Sequence, residues 1–332
     1  MSLIHKKDAT MSGLRRSLLV ALLIVVPGAP AFSQDKFPSR VVKVVLPFPP
    51  GSTLDAFTRI MVDRMAQKWG QSVVVENISG GGGNIGTERF VRSLPDGYTL
   101  PFAPPGPFTI NPLLYGAAAP DPTKFTPISV MARVPNVLVT RNKLADSVQG
   151  LIALAKANPG KLTYASQGVG STSFLTSKHF ETKSNIQLVH VPYRGAGPAL
   201  SDIVAGHVDM MFDNIVTSLP LHRAGTARIL AIADTERSNA MPETPTLAEA
   251  GVPAFRSVAF FGSAAPPGTP MGLAEQISRD FAEILQQPSV VARLRELLIE
   301  PVGTTPAQAR TIFLEETTIW GKVITDTGVT LQ

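Results

Sequence analysis

The chain has 332 residues, of which 44% are hydrophobic and 17% are charged, and this composition is typical of a folded globular protein with a sizeable core. It contains no cysteine, which excludes disulfides, thiol catalysis, thiolate metal sites and a lipid anchor on cysteine. The formal net charge is +5.

The first 33 residues have the pattern of an export signal. Four basic residues precede an unbroken apolar run at 18–26, and small residues around Ala31 offer a cleavage site. The run is too short to span a bilayer, which needs about 20 apolar residues. We therefore predict a signal peptide at 1–33 and a soluble protein exported to the periplasm. Removing this segment lowers the formal charge and leaves no basic tract, so nucleic acid is not an expected partner.

The next elements are a strand at 41–46, a proline-rich loop and a helix. The prolines exclude helix and central strand, Gly51 frees the backbone, and Ser52 and Thr53 are good helix caps. Apolar residues then recur at helical spacing as far as Trp69. A strand, a polar loop and a helix N-terminus together form an anion site, because free amide N–H groups and the helix dipole point at the loop. An ordinary loop between strand and helix is the alternative interpretation.

Strand and helix patterns alternate through the rest of the chain, which favours an α/β fold with largely parallel sheets. A run of glycines at 80–83 indicates a close backbone approach or unusual dihedral angles. Further strands are predicted at 72–76, 98–102, 137–140, 162–166, 186–191, 208–212, 229–233 and 258–264.

The segment that follows the strand at 162–166 repeats the design of the first loop. A Gly/Ser/Thr-rich loop at 167–173 again leads into a helix, after a change in pattern near Pro135. Two such units suggest two similar domains that offer helix N-termini to one cleft. Near the end of the chain, Thr246 and Glu249 predict a capping box for a short helix, and Thr305 predicts the N-cap of the final helix.

Tests for an active site find no catalytic constellation. The G-x-G-x-x-G match at 81–86 is weak, because the acid expected about 20 residues later is missing. No Walker sequence, nucleophile elbow or metalloprotease histidine pair occurs, and a hydrogen-bonded structural role is predicted for His190. We therefore predict no enzyme activity, no metal and no cofactor; a small exported α/β hydrolase or isomerase is the rival hypothesis.

Arg194, Asp213 and one residue of the pair Phe260 and Phe261 are further candidates for contact with a ligand. Arg194 has the two-pronged guanidinium that pairs with carboxylates, although exposed arginines are common. Asp213 follows a strand and either faces the cleft or ends a solvated loop. Of Phe260 and Phe261, at least one is expected in the core, and the other could give a ligand an apolar wall.

Several segments, taken in order, resemble the tripartite tricarboxylate transporter substrate-binding family, the periplasmic receptors called Bug or TctC proteins. The resemblance runs from about Phe37 to the C-terminus. It rests on residues 48–55, 75–86, 95–100, 157–162, 168–171, 190–195 and 242–251.

The resemblance implies a two-lobed periplasmic binding protein of type II-like α/β fold, with two mixed, mostly parallel sheets, helices on both faces and a ligand cleft between the lobes. The predicted domains are 36–136 plus 255–332 and 137–254, joined by two crossovers. The implied ligand is a small organic acid or related molecule. The implied partners are the membrane permease subunits of a tripartite transporter, with a sensor domain as an alternative, and the expected state is a monomer.

The residues and the resemblance together predict a ligand site made of two loops and a few side chains. Asp55 is expected to hold the first loop by accepting bonds from its amides. Leu54, Phe174 and the proline-rich 104–107 depart from the family pattern and favour a less polar or aromatic carboxylate over small aliphatic dicarboxylates. The predicted ligand-binding residues are Phe48, Pro49, Gly51, Ser52, Thr53, Asp55, Pro105, Ser166, Gly168, Gly170, Ser171, Thr172, Arg194 and Asp213.

Overall fold

The computed structural model describes residues 37–330. Within this range the strands follow one path in the order β2-β1-β3-β9-β4-β7-β5-β6, and β8 and β10 also pair with β4. The strands are β1 Val42–Leu46, β2 Val73–Asn77, β3 Thr99–Ala103, β4 Thr126–Arg141, β5 Thr163–Ser166, β6 Val189–Pro192, β7 Met210–Asn214, β8 Ala227–Ile232, β9 Val258–Ala265 and β10 Glu300–Pro301.

The two ends of this path are parallel, and its middle is antiparallel. β1 pairs in parallel with β2 and β3, and β5 pairs in parallel with β6 and β7. β4 runs antiparallel to β7, β8, β9 and β10. The predicted mixed α/β fold is therefore confirmed, with β4 as the strand that links the two parallel groups.

β4 is longer than the sequence predicted. The predicted strand covers only 137–140, whereas β4 runs from Thr126 to Arg141, so the predicted boundary is wrong. β4 pairs with β9 as far as Pro135 and with β7 from Asn136 onward. The proline, which has no N–H to donate, thus lies where the strand changes partners. We call β1, β2, β3, β9, β10 and 126–135 the first half of the sheet, and 136–141 with β5, β6, β7 and β8 the second half.

Several helices begin at a side-chain cap, and the caps at Ser52 and Thr305 are among those that the sequence predicted. Ser52, Ser147, Ser171 and Thr305 each accept a bond from a backbone N–H in the first turn of their helix. The helices are α1 Thr53–Trp69, α2 Asn84–Val91, α3 Asn111–Tyr115, α4 Val148–Ala157, α5 Thr172–Ser184, α6 Ala196–Ala205, α7 Ile215–Arg223, α8 Met271–Leu285, α9 Pro288–Glu296 and α10 Pro306–Thr327.

The short helix predicted after Thr246 is wrong, although its capping bonds are present. The Thr246 N–H donates to Glu249, and the Glu249 N–H donates to Thr246 Oγ1. The segment then closes as a turn, with Val252 N–H bonded to the Leu247 carbonyl. Four residues before Gly251 are too few for the helix to propagate, since the first turn is the costly step.

The hydrophobic core follows both halves of the sheet. Tyr164, Phe180 and Phe212 belong to a cluster in the second half, and Trp320 and Val323 of α10 join it. Phe313 of the same helix packs instead with Phe108 and Phe260. α10 therefore contacts both halves, and the domain boundaries stay a prediction. Among the described residues, every helix is too short or too polar to cross a bilayer.

Candidate ligand-binding site

A small cavity of about 40 Å³ lies where the two halves of the sheet meet. Small-molecule sites usually enclose about 300 Å³ or more, so the walls here stand close together. The first half supplies Phe48, Ser52, Thr53, Leu54, Pro104, Gly106, Ala259 and Phe261. The second half supplies Asn136, Gln167, Ser171, Thr172, Ser173, Ala196, Phe212, Asp213 and Asn214.

A wider cleft of about 420 Å³ adjoins the cavity and shares Phe48 and Gln167 with it. The glycine run 80–83, Gly168, Tyr193 and Arg194 line this cleft. Arg194 is exposed there.

The first loop leads from β1 into α1 and is held by an acid in the first turn of that helix. Asp55 is only 6% exposed and accepts from the Gly51 N–H at 3.2 Å. Arg59, one turn later, also donates to this carboxylate. The predicted role of Asp55 in shaping the loop is thus confirmed, and its charge is engaged away from the cavity.

The second loop leads from β5 into α5 and is held by hydroxyl groups. Ser171 Oγ donates to the Gly168 carbonyl at 2.6 Å and accepts from the Phe174 N–H. Ser166 Oγ accepts from the Gly168 N–H and lies 2.7 Å from His190 Nε2. Burial lowers the pKa of His190 to about 4, so this ring is neutral and its Nε2 can accept a hydrogen bond from the Ser166 hydroxyl. The structural role predicted for His190 is confirmed.

Helix N-termini from both halves therefore contribute residues to one cavity, and Ala196 and Asn214, at the starts of α6 and α7, also line it. Ser52 and Thr53 start α1, and Ser171 and Thr172 start α5. The first amides of a helix lack intrahelical partners and carry a partial positive charge, which favours an anion. No lysine, arginine or histidine lines the cavity among the described residues, so these backbone groups are its source of positive potential.

Two buried polar atoms of the cavity lining have no hydrogen-bond partner. They are Thr53 Oγ1, in a residue 3% exposed, and Asp213 Oδ1, in a residue 2% exposed. Asp213 Oδ2 accepts from Ser218 and Thr217 instead. Because buried polar groups are rarely left unpaired, each such atom calls for an explanation.

Glycines allow the two halves to approach closely beside the cavity. A Cβ built on Gly82 would lie 2.5 Å from the Val169 carbonyl oxygen, and one on Gly195 would lie 2.9 Å from Pro49 Cγ. Tyr115 also donates its hydroxyl to the Val169 carbonyl at 3.0 Å. The glycine run thus has the close backbone approach that the sequence predicted.

The structure places the predicted site residues in three groups. Phe48, Ser52, Thr53, Ser171, Thr172 and Asp213 line the cavity. Phe48, Gly168 and Arg194 line the adjoining cleft. The remaining residues lie in or beside the loops without lining either space: Pro49, Gly51, Asp55, Pro105, Ser166 and Gly170. Their part in ligand binding stays a prediction.

Sequence reasoning missed three amide side chains of the cavity lining. Asn136 and Asn214 lie opposite each other in the β4–β7 pair, and Asn214 Nδ2 donates to Asn136 Oδ1 at 2.7 Å. Gln167 lines both spaces. Asn136 has no local signal because it lies inside a long strand. Phe261 lines the cavity while Phe260 packs in the core, as the sequence suggested for this pair.

The described residues contain no group of three or more His, Cys, Asp or Glu side chains placed to hold a metal ion. The site is thus built from backbone amides, hydroxyls, amide side chains and a single carboxylate.

Comparison with known proteins gives consistent matches along the chain. The model of the tripartite tricarboxylate transporter family receptor matches residues 57–329. Protein BugT of Bordetella pertussis is 34% identical over 97% of this chain and 100% of its own length.

Two solved structures with bound acids are also similar. A Rhodopseudomonas palustris protein with adipate superposes with a TM-score of 0.85 and 36% identity, covering 89% of this chain and 99% of the other. MatC from Rhodopseudomonas palustris with bound malate superposes with a TM-score of 0.82 and 31% identity, covering 87% and 100%.

Proposed function

We propose that the protein binds a small carboxylate between the two halves of its sheet. The premise is that the chain belongs to the tripartite tricarboxylate transporter receptor family. This is a family of solute receptors rather than of enzymes. The observation that carries the proposal is the meeting of two helix N-termini, those of α1 and α5, at one cavity without a basic side chain. The adipate and malate in similar structures support the same class of ligand.

The ligand carboxylate would be held by backbone amides and hydroxyls of both loops. Ser52 and Ser171 already cap their helices, so the amides that remain at each N-terminus are available to an anion. Thr53 adds a hydroxyl without a partner. This arrangement binds charge without the desolvation of a lysine or arginine, which a cavity this small would otherwise have to bury.

The proposed mechanism is closure of the two halves around the ligand. The cavity of about 40 Å³ is much smaller than ligand sites usually are, so we expect the halves to separate, admit the ligand and close again. A ligand that contacts both halves binds the closed form better than the open form and so shifts the population towards it. We propose that the bodies that move are the predicted domains, 36–136 plus 255–332 and 137–254.

The closed form is the one that a transport partner would recognise. We propose that the protein acts as a monomer in the periplasm and delivers its ligand to the permease subunits of a tripartite transporter. The predicted signal peptide at 1–33 lies outside the described residues, so export is a proposal that rests on the sequence pattern and the family.

A thermal-shift screen tests the ligand class. The mature protein is refolded from denaturant, which removes any copurified ligand, and is then heated with aliphatic carboxylates, aromatic acids, amino acids and neutral analogues. Binding to the native state raises the unfolding midpoint by mass action, so we expect a shift of several degrees from one class of acid. A shift from neutral compounds alone, or from no compound, contradicts the carboxylate site.

A further inference from the structure

Asp213 is the one charged side chain that lines the cavity among the described residues. It lies in β7 and is 2% exposed. A carboxylate in a site for carboxylates needs an explanation, because two like charges brought together in a dry cavity repel each other strongly.

The bonds of Asp213 are concentrated on one of its two oxygens. Oδ2 accepts from the hydroxyls of Thr217 and Ser218. Burial raises the pKa of Asp213, while these two hydroxyls and the Asn214 backbone N–H act in the opposite direction and favour the charged form. These donors, all neutral, stabilise an ionised carboxylate. Oδ1 is buried without a partner, so it remains free to accept a hydrogen bond.

The helix N-termini at this site supply hydrogen-bond donors rather than acceptors. Thr53 Oγ1 lacks a partner, and the free amides of two helix starts surround the cavity. The cavity therefore offers donors at the helix N-termini and an acceptor at Asp213. A ligand with a carboxylate at both ends would satisfy the first set and place a negative charge against the second.

We propose, on the basis of the carboxylate site proposed above, that the ligand carries one carboxylate and, at its other end, a group that donates a hydrogen bond to Asp213 Oδ1. Half-amides, hydroxy acids and amino acids share this chemistry. A plain dicarboxylate does not. Asp213 then selects between ligands, while the helix N-termini bind the carboxylate that all these ligands carry.

Isosteric pairs of ligands isolate the preference of Asp213 for a hydrogen-bond donor over a second carboxylate. In adipate and adipamate, succinate and succinamate, or terephthalate and 4-carbamoylbenzoate, the second carboxylate is replaced by a carboxamide of nearly the same shape. Affinities are measured by calorimetry on the refolded wild-type protein at neutral pH. We expect the half-amide of the best-fitting pair to bind about tenfold more tightly than its diacid, because a group built to accept a hydrogen bond rejects an anion.

The variant Asp213→Asn keeps an oxygen to accept from Thr217 and Ser218 and presents an N–H₂ donor to the cavity. It should bind the diacid at least as tightly as the half-amide, which removes or reverses the wild-type preference. Asp146→Asn is the matched control, since it removes one negative charge from a side chain that is 90% exposed and should leave the preference unchanged.

Each outcome bears on the inference. A wild-type preference for the diacid in the best-fitting pair, or equal affinity for both members, overturns it and leaves the carboxylate site intact. The wild-type comparison decides this even if Asp213→Asn does not fold. If no member of any pair binds to the refolded protein, the proposed function fails, and the assignment of Asp213 fails with it.

Discussion

The loop at 47–52 before α1 and the loop at 167–171 before α5 follow the same plan but are held by different forces. In the first, prolines stiffen the backbone and the Asp55 carboxylate binds the Gly51 amide. In the second, serine hydroxyls bond to one another and to backbone groups, with His190 behind them. The first loop leaves the Thr53 hydroxyl unpaired, whereas Ser166 and Ser171 in the second are bonded.

The two loops therefore offer different chemical groups to a ligand. The second loop uses its hydroxyl groups to fix its own shape, so it can offer a ligand mainly backbone N–H groups. The first loop is fixed by prolines and by the bond from the Gly51 N–H to Asp55, so a side-chain hydroxyl is left for the ligand. The following predictions test this comparison, beginning with the contact between the glycine run and the second loop.

Gly82→Ala should weaken ligand binding about tenfold or more, since a Cβ 2.5 Å from the Val169 carbonyl would keep the halves apart and binding requires the closed form. Gly82 also has a φ of 63°, so alanine adds a backbone strain of about 1 kcal/mol. Calorimetry with the ligand from the screen measures the affinity, and urea denaturation measures the stability.

Gly81→Ala is the control for that strain. Gly81 has a φ of 56°, but a Cβ there would meet only Asn84 and Ile85 of its own segment, at 3.6 Å or more. Both variants should lose similar stability, and only Gly82→Ala should lose affinity. Equal losses of affinity would mean that closure does not depend on this contact.

Ser171→Ala should destabilise the protein by about 1–2 kcal/mol, more than Ser52→Ala, although both serines are helix N-caps. Ser171 is 4% exposed and bonds to Gly168, Phe174 and Ser173, whereas Ser52 is partly exposed and bonds to Asp55 alone. Urea denaturation of the two variants compares the free energies of unfolding. A larger cost at Ser52 would contradict the claim that hydroxyls hold the second loop.

Thr53→Val should lower ligand affinity about fivefold while leaving the unliganded protein as stable as before or more so. Valine has the shape of threonine without the hydroxyl, and Oγ1 has no partner to lose. Ser129→Ala removes another buried unpaired hydroxyl, from a residue that does not line the cavity, and should leave affinity unchanged. Wild-type affinity in Thr53→Val would remove this hydroxyl from the site.

The sequence could predict the local parts of this comparison because they depend on residues close together in the chain. Ser52 and Thr305 were predicted as caps because a cap and its partner are three residues apart. The role of Asp55 in holding the first loop was predicted on the same grounds, since Asp55 is four residues from Gly51.

The parts that depend on distant contacts could not be predicted. Asn136 reaches the cavity only because β4 changes partners beside it, and nothing in the local pattern marks that point. Asp213 was a candidate by its place at a strand end, but its unpaired oxygen depends on where Thr217 and Ser218 direct their hydroxyls. Thr246 shows the reverse case, in which the local capping signal is present and the chain turns away before a helix forms.

Acid should loosen the second loop through His190, which has no counterpart in the first loop. Burial lowers the pKa of His190 to about 4, below its ordinary value near 6.5, so the unfolded chain binds a proton more readily. Stability from this group is therefore present above pH 6.5 and is lost as the pH falls towards 4. Once protonated, the ring can no longer accept the bond from Ser166 Oγ.

His190→Gln measured beside the wild type isolates this contribution. Burial raises the pKa of Asp213 and of Glu316, so their contribution to stability changes with pH in the opposite direction. This contribution is the same in both proteins and cancels in the comparison. We expect the stability advantage of the wild type, measured by urea denaturation, to shrink between pH 7 and pH 4.5. His207→Gln, which changes a side chain that is 71% exposed, should parallel the wild type. If His190→Gln also parallels it, the histidine does not hold the second loop, and the serines alone account for its shape.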